Sequence, residues 1–327
     1  DPVAYCEFNF PWGEEGSALE GHTLRGWQRE WLQDLAKQIK SRKFNGFDPV
    51  EPVQISTVSG HGIGKSALTS MVIKFIHDTR PFSRGVVTAN TSEQLRTKTW
   101  SELGKWHKMS LTEHWSDYHA TRGNMSLASY SDVAGWRVDA QTCREENSEA
   151  FAGLHAANST PFYIFDEASA VPDKIHEVAS GGLTDGEPMW FQFGNGTRNT
   201  GRFFESHHRL KHRWLTRNID SRDVEGFGED SDYVKVRVRG MFPSAGSLQF
   251  IPGDVVADCM TMDDPKVELT DPLILGVDVA RFGDDQTVIQ VKRGRDARNF
   301  GCWKYRGMDT MQTASRVAEI DADLRPD

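Results

Sequence analysis

The stretch Val53-Gln-Ile-Ser-Thr-Val58, followed directly by Ser59-Gly-His-Gly-Ile-Gly-Lys-Ser66, decides the fold of this chain. Val, Ile and Thr dominate its first six residues and predict a buried strand. After Ser66, apolar residues recur from Ala67 to Ile76 at the spacing of one helical face. A glycine-rich turn between a strand and a helix, ending in Gly-Lys-Ser, is typical of a phosphate-binding P-loop.

The chemistry of this turn explains why these residue types are needed. Glycines let the backbone wrap so that successive N–H groups and the helix N-terminus face the phosphates. Lys65 can reach the β- and γ-phosphates of ATP, and the Ser66 hydroxyl can ligate Mg²⁺. The predicted nucleotide contacts are Ser59, Gly60, His61, Gly62, Ile63, Gly64, Lys65 and Ser66. Ser59 replaces the first consensus glycine, so a glycine-rich turn with an incidental lysine is the competing interpretation.

Three more β-rich runs alternate with helical patterns downstream. They are Gly85–Ala89, Phe162–Phe165 and Met189–Phe193. Near-continuous apolar strands are expected where helices cover both faces of a parallel sheet. The sequence therefore predicts an α/β fold with a mainly parallel central sheet.

A pair of acids ends the third of these strands, at Asp166-Glu167. Asp166 at the strand tip can hold Mg²⁺, and Glu167 can orient and deprotonate the attacking water. A helix N-cap pair is the alternative for these two acids alone. Their combination with the upstream P-loop favours an NTP-hydrolysing site.

Two other segments fit the same site. Gln28 opens an amphipathic helix upstream of the P-loop, where its amide could read adenine, although a surface glutamine is the alternative. Gly194-Asn195-Gly-Thr197 places polar side chains after the fourth strand, where a γ-phosphate sensor would lie. A plain β-turn is the alternative there.

Composition limits the possible protein classes. The chain has 327 residues, a length typical of two domains, and a net charge of -9. We expect a soluble protein, because no apolar run approaches the roughly 20 residues of a membrane span and no signal peptide pattern begins the chain. The four cysteines form no Cys-x-x-Cys pair, which disfavours a zinc ribbon and a disulfide framework and favours a reducing cytosol.

The order of motifs resembles the large terminase subunits of tailed bacteriophages. The motifs are Gln28, Ser59–Ser66, Thr88–Gln94, Ala150–His155, Asp166-Glu167, Gly194–Thr197, Val238–Pro243 and Gly276–Asp285. This resemblance implies an ATP-driven motor that moves double-stranded DNA into a procapsid and an associated endonuclease. The resemblance also implies Mg²⁺ for ATP hydrolysis and Mg²⁺ or Mn²⁺ for the nuclease. Implied partners are the small terminase subunit, the portal protein and other copies in a ring, expected to be a pentamer, without a membrane. The implied location is the host cytoplasm, transiently on the procapsid, and not the mature virion.

The resemblance also assigns domains and roles. Residues 1–218 would form a RecA-like ATPase domain, 219–270 a connector, and 271–327 the first part of an RNase H-like nuclease domain. The family's roles carry over to Lys65 and Ser66 for phosphate and magnesium, Asp166 for magnesium, Glu167 as catalytic carboxylate, Gln28 for adenine, and Asn195 and Thr197 for coupling hydrolysis to movement.

One departure from the family concerns charge at the P-loop. Many members have an arginine where this chain has His61, and a neutral imidazole does not supply a permanent positive charge. We predict Arg144 as the arginine that stabilises the γ-phosphoryl group. The alternatives are Arg122, Arg198 and Arg202, and a solvated surface arginine remains open for each.

Asp278 is the predicted first metal ligand of the nuclease. It lies in the strand pattern Leu273–Val279. An RNase H-like nuclease, which the resemblance implies, uses two metal ions held by several acids to cut DNA. For Asp284 and Asp285 we favour a hairpin turn. Since the chain ends before the next family carboxylate, we expect an incomplete metal site and weak or absent cleavage.

The most basic stretch predicts a DNA contact. It contains Arg202, Arg209, Lys211, Arg213 and Arg217 interleaved with histidines and aromatic residues. Phosphate contacts need charge and no base reading. A solvated helix face with an apolar stripe is the alternative.

At the level of the whole chain, a helicase and a nucleotide-binding scaffold without turnover are the competing functions.

Overall fold

The computed structural model describes residues 1–121, 123–221, 267–268, 270–280 and 285–327, together with residues 240, 242 and 259. The chain divides into two compact units, Asp1–Pro252 and Gly253–Asp327. This division falls inside the segment 219–270 that we predicted as a connector; the three domain boundaries themselves stay predictions. Arg122, Asp284 and most of that connector lie outside the described residues.

One large sheet organises the described part of the first unit. Its strands are β1 (Val53–Ser59), β2 (Arg84–Thr88), β3 (Ser116–Thr121), β4 (Asn124–Ser129), β5 (Arg137–Ala140), β6 (Pro161–Asp166), β7 (Met189–Gly194) and β8 (Leu215–Ile219). They lie in the order β3-β4-β5-β2-β6-β7-β1-β8. The run from β5 to β8 is parallel, and β3 and β4 add an antiparallel edge. The predicted α/β fold with a mainly parallel sheet is confirmed.

Helices cover both faces of this sheet. They are α1 (Pro2–Asn9), α2 (Gly26–Arg42), α3 (Lys65–Thr79), α4 (Ser92–Gln94), α5 (Ser101–Met109), α6 (Asp173–Gly181) and α7 (Arg202–His207). A π-helix, Leu95–Trp100, joins α4 to α5.

Alternation along the strands divides the core into two layers. On β6, Phe162 and Ile164 pack with residues of α1, α2, α3 and α5, whereas Tyr163 and Phe165 pack with residues of α6 and α7. Successive side chains of a strand point to opposite faces, so a strand buried on both faces needs apolar residues at every position. This burial accounts for the uninterrupted apolar run that predicts β6.

A smaller sheet forms the core of the second unit. Its strands β9 (Leu273–Asp278), β10 (Thr287–Arg293) and β11 (Cys302–Tyr305) are antiparallel with β10 in the centre. Helix α8 (Thr310–Leu324) follows, and Asp309 and Gln312 form a capping box at its start. Apolar residues from β9, β10 and α8 make up the core: Leu273, Ile289, Val291 and Ile320.

Strands β3, β4, β5 and β8 were not predicted from the sequence. Strand β3 reads Ser-Asp-Tyr-His-Ala-Thr and lies at the sheet edge, where polar residues face solvent and weaken the apolar signal. In the described part of the chain, no helix combines the length and the apolar composition of a membrane span.

Candidate functional site

The carboxyl ends of three neighbouring strands bring the predicted nucleotide residues together. Strand β7 lies between β1 and β6, with Val58 opposite Gly194 and Asp166 opposite Phe193. Parallel strands end at the same edge of a sheet, so the loops that follow them meet there. The P-loop follows β1, Asn195 follows β7, and Glu167 follows β6.

Two glycines give the P-loop its shape. Gly62 and Gly64 have φ angles of 75° and 89°, in the left-handed region that favours glycine. A Cβ on Gly64 would lie 3.1 Å from Nε2 of Gln28. The loop turns directly into α3, so Lys65 and Ser66 occupy the first two helical positions. The backbone N–H groups at a helix N-terminus favour the binding of anions.

Lys65 makes contacts with both neighbouring loops. Its Nζ donates to the carbonyl of Gly60 at 3.0 Å and to Oδ1 of Asn195 at 3.1 Å. Asn195 Nδ2 in turn donates to the carbonyl of Ser59 at 2.8 Å. Asn195 is 1% exposed, so this amide is a fixed link between the end of β7 and the P-loop.

Burial and two nearby carboxylates control the charge of Lys65. Burial lowers its pKa, while the negative charges of Glu167 and Asp166 raise it. These interactions act only between groups that lie near one another. The structure therefore brings Lys65, Asp166 and Glu167 together at one edge of the sheet, as the order of motifs predicts.

Asp166 is a buried carboxylate with two hydrogen bonds. Its side chain accepts from Thr99 Oγ1 at 2.5 Å and from the backbone N–H of Glu167 at 3.0 Å. Burial raises the pKa of Asp166, and Glu167 adds to this rise, whereas the Thr99 hydrogen bond and the charge of Lys65 oppose it. Carboxylate and hydroxyl oxygens are ligands that Mg²⁺ prefers, so Asp166 and the P-loop residue Ser66 form a suitable donor pair.

Glu167 has an unusual backbone conformation. Its φ is 51° and its ψ is 43°, in the left-handed region that non-glycine residues seldom adopt. Residues in this region are found at turns and also cluster at active sites, where the surrounding structure enforces them. The chain turns here from β6 into a short 3₁₀ segment, Ala168–Ala170, and Glu167 is left partly exposed at the sheet edge.

Thr99 is the functional residue that sequence reasoning missed. It lies on the π-helix Leu95–Trp100 and is 2% exposed. The wider turn of a π-helix often occurs at functional sites. In the sequence, Thr99 follows the Thr88–Gln94 motif by a few residues and carries no other signal. Its partnership with Asp166 spans 67 positions and depends on tertiary packing.

Gln28 lies behind the P-loop rather than on the surface. It is 3% exposed, its Oε1 accepts from the backbone N–H of Arg25 at 3.2 Å, and its Nε2 donates to the carbonyl of Gly64 at 3.1 Å. Trp27 adds a second contact, from its indole N–H to the carbonyl of Ile63 at 3.0 Å. The helix α2 is thus fastened to the P-loop, and adenine contact by Gln28 stays a prediction.

The remaining loop residues are more exposed. His61 is exposed, and its carbonyl accepts from Ser221 Oγ at 2.9 Å. Thr197 is exposed, and its hydroxyl donates to Ser169 Oγ at 2.9 Å. Thr197 therefore belongs to the loops around the site but contacts the segment after Glu167, and its role in coupling stays a prediction.

The sheet order separates Arg144 from the P-loop. Arg144 follows β5, which is four places from β1 and two places from β6. At about 4.8 Å per strand, these lateral separations are about 19 Å and 10 Å. Arg198 directly follows Thr197, while Arg202 pairs with Glu205 at 3.3 Å. Arg198 thus lies on a loop nearer the P-loop strand, and the identity of the arginine stays open.

Asp278 lies in the second unit, at the exposed end of β9. Asp285 is exposed as well. Within the described ranges, no group of three or more His, Cys, Asp or Glu side chains could hold a metal ion. The predicted metal role of Asp278 stays a prediction.

The basic stretch predicted to contact DNA has several acidic partners. Arg217 pairs with Asp34 and Glu30 of α2. Arg202 and Arg209 both pair with Glu205, at 3.3 and 2.9 Å. Three of the five basic residues are therefore paired within the protein, and both the DNA contact and its alternative stay predictions.

Comparison with known proteins identifies relatives. The chain is 27% identical over 348 residues to the probable large terminase subunit of Enterobacteria phage P7, a match that covers 98% of this chain and 67% of that protein. No family profile matches the chain.

Three solved large terminases are also similar. The HK97 bacteriophage protein is 13% identical, and the match covers 99% of this chain and 71% of that one, with a TM-score of 0.49. A large terminase from a thermophilic bacteriophage, in complex with ADP, is 14% identical and covers 88% and 74%, with a TM-score of 0.46. The ATPase domain of the Thermus phage P74-26 large terminase is 14% identical and covers 68% and 95%, with a TM-score of 0.43. The resemblance predicted from the order of motifs, to large terminase subunits, is confirmed by the phage P7 relative.

Proposed function

Because the chain resembles the large terminase subunits of tailed bacteriophages, we propose that it is an ATP-hydrolysing motor subunit that moves double-stranded viral DNA into a procapsid. The observation that carries this proposal is the site at one sheet edge, where Lys65 bonds Asn195 and interacts with Asp166 and Glu167. In one place, Lys65 supplies a positive charge for the phosphates and Asn195 an amide that can sense the γ-phosphate. Asp166 supplies a carboxylate for the metal ion and Glu167 a base.

The protein's own groups divide the proposed reaction between them. Lys65 leaves the carbonyl of Gly60 to contact the γ-phosphate. Because Lys65 also donates a hydrogen bond to Asn195, this movement changes the position or the bonding of the Asn195 amide. Asp166 and Ser66 would hold Mg²⁺, which neutralises phosphate charge when bound. Glu167, partly exposed beside the buried Asp166, orients the attacking water and accepts its proton.

Electrostatics support the different roles of the two acids. Burial raises the pKa of Asp166, so a cation at this position offsets the cost of its negative charge. The left-handed backbone of Glu167 turns the chain at the end of β6, where its side chain is partly exposed. We further propose an arginine from elsewhere, with Arg144 and Arg198 as candidates, because the P-loop itself carries His61.

The second unit and the partners belong to the same proposal. We propose that residues 271–327 form the first part of an RNase H-like nuclease domain, with Asp278 as a metal ligand for Mg²⁺ or Mn²⁺. An antiparallel sheet with an acid at the end of its opening strand supports this. The proposed partners are double-stranded DNA, the small terminase subunit, the portal protein and other copies of the chain in a ring. The proposed location is the host cytoplasm and, transiently, the procapsid.

ATP turnover by the intact chain tests the proposal. We expect Mg²⁺-dependent phosphate release that falls at least ~100-fold in Glu167→Gln and in Lys65→Ala. Binding of a fluorescent ATP analogue should persist in Glu167→Gln and be lost in Lys65→Ala. Of these two side chains, only that of Lys65 is expected to contact the phosphates of bound ATP before the reaction. Lys174→Ala, a surface lysine paired with Glu177, is the matched control.

The outcomes separate the competing functions. Nucleotide binding without turnover would indicate a nucleotide-binding scaffold and would contradict the proposed ATP hydrolysis. Turnover together with strand separation of duplex DNA would indicate a helicase. Turnover without unwinding, together with filling of empty procapsids by DNA, is the expected result.

A further inference from the structure

Gly240 and Phe242, both from the motif Val238–Pro243, pack against the P-loop and against α7. Gly240 is buried, and its φ is 60°, in the left-handed region that favours glycine. A Cβ on Gly240 would lie 2.3 Å from Cα of Ser59, 2.5 Å from the carbonyl carbon of Ser59 and 2.8 Å from the backbone nitrogen of Gly60. The backbone of Gly240 is therefore in direct contact with the backbone of the P-loop.

This contact falls on the first two residues of the P-loop, which are also held by hydrogen bonds. The carbonyl of Ser59 accepts from Asn195 at 2.8 Å, and the carbonyl of Gly60 accepts from Lys65 at 3.0 Å. The backbone N–H of Gly60 donates to the last carbonyl of β8 at 3.2 Å. Because Gly240 touches backbone atoms, no side-chain rotation can absorb a displacement there, and the start of the P-loop must move with it.

Phe242 restrains Gly240 from two residues further along the chain. The centroid of its ring lies 5.0 to 5.7 Å from the centroids of four rings of α7, which belong to Phe203, Phe204, His207 and His208. Aromatic rings at such separations attract one another in addition to burying apolar surface. Two residues of chain span at most about 7 Å, so a ring fixed on α7 limits where Gly240 can lie.

Helix α7 is itself bonded to β1, the strand that leads into the P-loop. The buried hydroxyl of Ser56, three residues before the P-loop, forms hydrogen bonds with Ser206 Oγ at 2.8 Å and with His207 Nε2 at 2.9 Å. The contacts therefore make a closed path. It runs from β1 to α7, from α7 through the ring of Phe242 to Gly240, and from Gly240 back to the end of β1.

We propose that Gly240 and Phe242 are positioning residues for ATP binding, an inference that rests on the proposed function. Together they hold Ser59 and Gly60 in the conformation from which the N–H groups of the P-loop face the phosphates. A loop that has to be ordered during binding lowers affinity, so a loop that is held in advance binds ATP more tightly. Both residues act through the P-loop backbone, and their loss should weaken ATP binding more than it slows the reaction of bound ATP.

Binding of a fluorescent ATP analogue and ATP turnover by the full chain test this role. Gly240→Ala should weaken binding of the analogue at least ~tenfold and raise KM more than it lowers kcat, because the loop holds the phosphates both before and during the reaction. Gly46→Ala is the matched control. The φ of Gly46 is 87°, and a Cβ added there meets nothing within 4 Å, so this variant has the backbone strain without the contact.

Phe242→Ala tests the role even if Gly240→Ala does not fold, because Phe242 is only partly buried. We expect Phe242→Ala to raise KM in the same way, since the ring that restrains Gly240 is lost. Phe242→Tyr keeps an aromatic ring and should return KM toward the value of the unaltered chain. Phe44→Ala removes another partly buried phenylalanine, from the loop between α2 and β1, and is the matched control.

Two results would overturn this role and leave the proposed function intact. One is an unaltered chain that binds the analogue, with the same KM in Phe242→Ala as in Phe44→Ala and, where it folds, in Gly240→Ala as in Gly46→Ala. The other is a loss confined to kcat, because a positioning residue for binding must change KM. An unaltered chain that binds no nucleotide would overturn both the positioning role and the proposed function.

Discussion

Replacing Thr99 by valine should destabilise the protein and impair its proposed metal site together. The hydroxyl of Thr99 donates to Asp166 Oδ2 at 2.5 Å, and the two residues are 2% and 5% exposed. Valine keeps the branched shape and removes the donor, which leaves a buried carboxylate oxygen with one partner fewer. Loss of a hydrogen bond to a charged buried group costs about 1.5–3 kcal/mol.

The same contact predicts the direction in which Thr99→Val changes Mg²⁺ binding. The Thr99 hydrogen bond lowers the pKa of Asp166, so its removal raises that pKa further and makes the ionised carboxylate, the form that would hold Mg²⁺, less favourable. We expect Thr99→Val to need more Mg²⁺ for half-maximal ATP turnover. Urea unfolding measures the stability loss, and turnover against Mg²⁺ concentration measures the effect on the site.

Two control variants make this prediction specific. Thr99→Ser keeps the hydroxyl and should retain most of the stability and the Mg²⁺ dependence. Thr97→Val changes an exposed threonine of the same π-helix whose hydroxyl bonds the carbonyl of Glu93 at 2.6 Å. Equal free energies of unfolding for Thr99→Val and Thr97→Val would refute the argument that the Asp166 contact matters.

Three further predictions concern packing, charge and the P-loop. Gly85→Ala should destabilise the protein by about 1–3 kcal/mol, because the new Cβ would lie 2.2 Å from the Phe162 ring; Phe162→Leu in the same chain should recover part of the loss in urea unfolding. Burial lowers the pKa of His77 and His176 to about 3, below the unfolded value of 6.5, so only the unfolded state gains these protons between those values. Lowering the pH from ~7.5 to ~5.5 should therefore reduce the free energy of unfolding by about 1 kcal/mol for each histidine, and unfolding curves that do not shift would contradict this. Gln28→Leu should lower the free energy of unfolding by about 1–2 kcal/mol and weaken binding of an ATP analogue, because the hydrogen bonds of its amide to Gly64 of the P-loop and to Arg25 at the start of α2 both disappear; unchanged affinity would contradict that support role.

The central strands were predictable because burial on both faces leaves a strong local signal. Strand β6 needs apolar side chains at every position, so its sequence alone indicates it, and the P-loop glycines need φ angles that other residues rarely adopt. The edge strand β3 gave no such signal, because polar side chains are tolerated where one side of the strand meets solvent. Helix α8 also depends on a local feature, because Asp309 and Gln312 cap its start from within the same few residues.

The sequence by itself determined the chemistry of the site: a lysine and a serine after a glycine-rich turn, and two acids after an apolar strand. Local spacing carries this information because each motif is a strand with the loop that follows it. Only the tertiary structure decided the neighbours, because strand order is set by packing between distant segments. It placed Asn195 against Lys65, set Thr99 against Asp166 across 67 positions, and put the strand before Arg144 four places from the P-loop strand.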